Sequence, residues 1–173
     1  MFIENITVRL RSTVRIWAAS AILAGLLRAI TSFIPEATPK VLLIYLAVDL
    51  FLFFGVVGLY AFAVTDAKLV PLLGTALMIL ALVVLIGRDL GVVSDNIYAG
   101  AAATFSVGLD LFAIHLLQTR KMPSWIAVAW IVSTILGPVG FFVSQLHVLF
   151  TISGLIFGIA FAAAGVMMWL RRF

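Results

Sequence analysis

The charged residues of this chain are few, and most of them fall in the gaps between six long apolar runs. Each run holds about 20 residues, enough for a helix to cross the ~30 Å hydrocarbon core of a bilayer. A soluble fold would interleave polar and apolar positions at helical or strand period along its elements. With 65% hydrophobic and 10% charged residues, the chain reads instead as an all-α integral membrane protein, a compact bundle of six transmembrane helices with short loops.

The runs place the spans near 13 to 34, 41 to 64, 69 to 90, 97 to 118, 124 to 143 and 147 to 170. Pro35, Pro39 and the residues between them end the first helix, because proline cannot continue the ladder. Asp66 is placed to cap the third. Ser94-Asp95-Asn96 and Arg120-Lys121-Met122-Pro123-Ser124 mark turns on either side of the fourth. The break at Ser144-Gln145-Leu146-His147 is thin, yet one helix from 124 to 170 would be about 70 Å long, so a hairpin is required. Residues 1 to 12 form a cytoplasmic tail whose spacing of Ile3, Ile6 and Leu10 also suits the membrane interface. Residues 13 to 173 form the transmembrane domain. The first run follows Arg9, Arg11 and Arg15 as a signal peptide would, but its length makes it a retained first helix. There is no cysteine, hence no disulfide and no thiolate chemistry.

Placing the N-terminus in the cytoplasm puts Arg9, Arg11, Arg15, Lys68, Arg120, Lys121, Arg171 and Arg172 on that side, eight of the eleven cations. This is the expected excess of positive charge on cytoplasmic loops. Both termini are then cytoplasmic, and the expected location is an inner membrane of bacterial type. The net charge of +4 follows from topology and draws the chain to anionic headgroups. No basic run interleaved with aromatics is present, so nucleic acid is not an expected partner.

Two ridges of small residues are legible. Ala21, Gly25 and Ala29 recur at four-residue spacing on the first span, and Gly154, Gly158 and Ala162 do so on the sixth, which lets backbones approach closely. Packing within one chain is the first expectation; a second copy or another membrane subunit is the alternative partner. Gly137-Pro138 should kink the fifth span, since Pro138 has no N–H for the carbonyl of Thr134.

Ionisable groups inside the hydrocarbon are costly and need partners. At 1.5 Å per residue, Arg28 and Asp49 fall at one depth on antiparallel helices, with Arg88 and Asp89 on the same side. This candidate ion-pair network carries two cations and two anions, and Tyr45 lies one turn from Asp49. Asp110, in the fourth span, has no cation at its depth and is the candidate proton or cation site. Ser133 and Thr134 are its expected neighbours, Ser20 and Thr75 further companions, and His115 a second proton-bearing group about 140° around the helix.

His115 and His147, the two histidines, belong to opposite ends of the bundle and give no ligand spacing. No metal site, phosphate loop or catalytic triad is legible, so no cofactor and no enzymatic activity are expected. The residues favour a non-enzymatic scaffold or accessory subunit of a membrane assembly, ahead of a small proton- or ion-coupled transporter using Asp110.

Overall fold

The computed structural model describes residues 2–34, 39–63 and 68–170, with side chains from Thr13 onward except those of 39–41, Asp95 and Ser144. Pro35, Asp66, Arg171 and Arg172 lie outside the described residues, as do the side chains of Arg9 and Arg11. The chain forms α1 (Phe2–Thr31), α2 (Pro39–Ala63), α3 (Leu69–Asp89), α4 (Tyr98–Thr119), α5 (Ser124–Phe142) and α6 (Val148–Leu170), with short 3₁₀ turns at Asp95–Ile97 and Ser144–Leu146. All six are long and apolar enough to span a membrane, α1 through its Thr13–Thr31 portion. The hairpin expected between the last two spans is present.

The helix ends follow local chemistry. Beyond α3, Gly91 adopts φ +72°, a conformation open to glycine without a Cβ clash. There its N–H bonds to the Arg88 carbonyl at 2.8 Å. Arg120 closes α4 in the left-handed region, its N–H bonded to the Leu116 carbonyl. α5 remains helical through Pro138. The carbonyl that the proline leaves without a helical donor is that of Thr134; its neighbour, the Ser133 carbonyl, receives the Ser153 hydroxyl of α6 at 2.8 Å, which ties the two helices together beside the proline.

Each helix packs against its neighbour in the chain, and α6 closes on α1, with α2 also touching α6 across the middle. The result is a ring of six helices in sequence order. Six crossings return the chain to the side from which it started; that face is called the terminal side below and the opposite face the far side. The two small-residue ridges meet each other. A Cβ on Gly158 would lie 2.5 Å from the Gly25 carbonyl and 2.7 Å from the Ala29 nitrogen, while one on Gly25 would strike Gly158 and Ala162. A second reciprocal pair joins α3 to α4, where a Cβ on Gly74 would sit 2.7 Å from the Gly108 carbonyl and one on Gly108 2.6 Å from the Gly74 carbonyl. Backbone contact of this kind maximises dispersion where water cannot drive association.

Inside the ring, Trp130, Phe112, Phe161 and Leu59 are fully buried. The outer surface is apolar on every helix, with Ile30, Leu43, Leu80, Val107, Ile135 and Ile159 all exposed. An apolar surface on all sides is the surface of a bundle solvated by lipid, and the chain is a multi-pass membrane protein.

Candidate functional site

The far half of the ring is not filled. Side chains from all six helices line a cavity of about 290 Å³, at the small end of ligand sites. α1 contributes Arg28 and α2 contributes Tyr45 and Asp49; Thr134 of α5 and Ser153 of α6 add hydroxyls among apolar and aromatic groups. The two charges expected at one depth therefore border the same cavity. The expected four-member network is only partly drawn together: Asp49 lies within reach of the charges of Asp89, Arg28 and Arg88, but among the described residues no close ion pair joins Arg28 to Asp49. Within it, Arg88 bridges Asp89 at 3.5 Å and stacks over the Tyr98 ring, 4.7 Å from its centroid. That stacking desolvates a guanidinium while compensating it with the ring quadrupole. Arg28 extends toward α6, where a Cβ on Gly154 would be 3.7 Å from its Nη2. Glycine at 154 leaves room for Ser32, just beyond α1, whose hydroxyl a Cβ there would strike.

The carboxyl of Asp110 meets the expected fifth helix, through one of the four hydroxyls considered. Thr134 Oγ1 lies 2.8 Å from Asp110 Oδ1 and 2.8 Å from the Ile131 carbonyl of its own helix. One hydroxyl proton cannot serve both acceptors fully. Both contacts are complete hydrogen bonds when Asp110 carries a proton and donates it to Thr134, which then donates to Ile131. Ser133, Ser20 and Thr75 instead donate to carbonyls of their own helices, those of Trp130, Ile16 and Pro71. Their hydroxyls are spent in back-bonding, a habit of Ser and Thr in apolar helices that spacing alone does not reveal. His115 lies beside Ala63 at the end of α2 and packs near Phe112, while its Nε2 has no hydrogen-bond partner among the described residues. It belongs to a different face of α4 from Asp110, as its 140° offset requires.

Sequence spacing did not reveal the cavity itself, the Tyr98 platform or the Gly74–Gly108 contact. The buried Ala101 and Gly108, seven residues apart on α4, were the available sign of a packed face there. Gly74 has no small partner at four-residue spacing and gave no such sign. No metal-holding group of three His, Cys, Asp or Glu side chains occurs among the described residues. Compared with known protein families, with curated proteins and with solved structures, the chain matches none.

Proposed function

We propose that this protein is a small non-enzymatic transporter that loads a small molecule from the far side into the central cavity and couples its movement to a proton held at Asp110. One observation carries the reading: Thr134 lines the cavity and also bonds to Asp110 at 2.8 Å. A change in cavity occupancy that moved this hydroxyl would alter the partner of the buried carboxyl, which is the coupling a proton-linked carrier needs. The ridges of Ala21, Gly25, Ala29, Gly154, Gly158 and Ala162 lie on the two helices that pack against each other within the chain, so they add nothing to the alternative reading, a scaffold or accessory subunit of a membrane assembly. The terminal side is taken as cytoplasmic from its excess of Lys and Arg, and the setting as a bacterial inner membrane.

The test is reconstitution into vesicles holding a pH-sensitive dye, with amino acids, quaternary amines and short-chain phospholipids presented in turn. At least one should evoke proton entry, and Asp110→Asn should abolish it while purifying at wild-type mass, since an amide keeps the hydrogen bond and cannot exchange a proton. Evoked entry that persists in Asp110→Asn, or no evoked entry with any solute, would contradict the reading.

A further inference from the structure

The cavity has a mouth, and its position identifies where the ligand comes from. Five exposed residues line the cavity, Ala99, Ala103, Pro138, Phe141 and Phe142, and every one belongs to α4 or α5. The lining residues from α1, α2, α3 and α6 are all buried or half-buried. The seam between α4 and α5 is also the thinnest between neighbours in the ring. It begins at the far ends of the two helices, near Ala99 and Phe142, and reaches about 6 Å deeper to Ala103 and Pro138 by the helical rise. In a ring solvated by lipid, that slot opens on the headgroups and upper chains of the far leaflet.

Behind the slot, the polar wall carries Arg28 and Asp49, one charge of each sign. The neighbouring Arg88 and Asp89 bridge each other, so the formal charges of the whole group cancel. A neutral, dipolar wall favours a headgroup that carries both signs, because each ligand charge then finds its opposite and no net charge is left in the low-dielectric interior. The aromatic rings of Phe141, Phe142 and Phe150 around the entrance suit acyl chain. The volume of about 290 Å³ accommodates a headgroup with the first part of a chain, the remainder lying out through the slot in the bilayer.

We infer that the ligand is a zwitterionic amphiphile drawn from the far leaflet through the α4–α5 slot, with its headgroup against Arg28 and Asp49. This rests on the cavity being a loading site, and binding tests it independently of proton flux. Radiolabelled dihexanoyl phosphatidylethanolamine, kept monomeric, is equilibrated with protein purified in a nonionic detergent. Glycerophosphoethanolamine, the headgroup without chains, and dihexanoyl phosphatidylglycerol, the same chains on an anionic headgroup, serve as competitors. The expected result is saturable binding at one site, with both competitors at least tenfold weaker. Ala103→Phe, at an exposed position on the slot, should weaken binding at least tenfold with unchanged melting, and Arg28→Gln with Asp49→Asn should do so together. Equal competition by the headgroup alone, with Ala103→Phe unaffected, would overturn supply from the membrane while leaving a transporter of soluble zwitterions. Equal competition by phosphatidylglycerol would overturn zwitterion recognition. Absence of saturable binding would overturn the whole inference even where solute-evoked proton flux is found.

Discussion

Replacing Gly158 with alanine puts a methyl group where a hydrogen was in the most extensive interface of the ring, and its cost can be worked from distances. The new Cβ would stand 2.5 Å from the Gly25 carbonyl oxygen and 2.7 Å from the Ala29 nitrogen. These are backbone atoms of α1, so no side chain can rotate aside, and α1 and α6 must separate. A radial gap of about 0.5–1 Å forfeits roughly a quarter to a half of each contact's dispersion along the seam. Overpacking of this kind costs about 1–3 kcal/mol, and alanine's better helix propensity returns up to about 1 kcal/mol. A net loss of about 2 kcal/mol should lower the melting temperature by about 4–8 °C in a chain of this size. The assay is thermal unfolding in one detergent, with Gly100→Ala as control, since a Cβ on Gly100 meets nothing within 4 Å. Gly100→Ala should melt at or slightly above wild type. If Gly158→Ala melts no lower than that control, the close backbone approach of α1 and α6 is wrong.

Gly74→Ala should lower melting by a similar few degrees, because its Cβ meets the Gly108 carbonyl at 2.7 Å, again measured against Gly100→Ala. Removing either Arg28 or Asp49 alone should destabilise more than Arg28→Gln with Asp49→Asn together, since a single removal leaves one membrane charge poorly compensated; the order of the three melting temperatures checks it. Asp110→Leu should stay within about 1 kcal/mol of wild type in melting, because Thr134 keeps its Ile131 acceptor at 2.8 Å and loses only one net hydrogen bond. Solute-evoked proton entry should nevertheless disappear in that variant. Ser153→Ala removes the 2.8 Å bond to the Ser133 carbonyl and should cost about 0.5–1.5 kcal/mol, a shift of a few degrees in the same melt.

The six helices were legible because hydrocarbon allows almost no polar interruption, so span lengths and turn residues left one division of the chain. The α1 and α6 ridges were legible because four-residue spacing of Ala and Gly has one main use in a membrane. Arg28 and Asp49 could be placed at one level from helical rise alone, since antiparallel neighbours share a depth scale. What periodicity could not provide was the angular order of the helices. Without knowing that α6 closes on α1, nothing showed that Arg28, Asp49 and Thr134 would border one cavity, and Asp110 was read as a separate site. The choice of Thr134 over Ser133 was equally hidden, because both are adjacent on α5 and both can bond backward to their own helix.

The claim that the ring holds a polar cavity open at its far, headgroup end is tested most directly by thiol accessibility. The chain has no cysteine, so single substitutions need no prior removal. Ser106 lines the cavity, and Val107, the next residue along α4, is 55% exposed on the outer surface. The two share a depth within about one helical rise, so lipid burial alone treats them alike. A charged methanethiosulfonate reagent reacts with the thiolate, which forms only where water reaches. Added from the far side to protein in vesicles, it should modify Ser106→Cys readily and leave Val107→Cys unmodified. Equal reactivity at the two positions, or none at Ser106→Cys, would contradict the cavity.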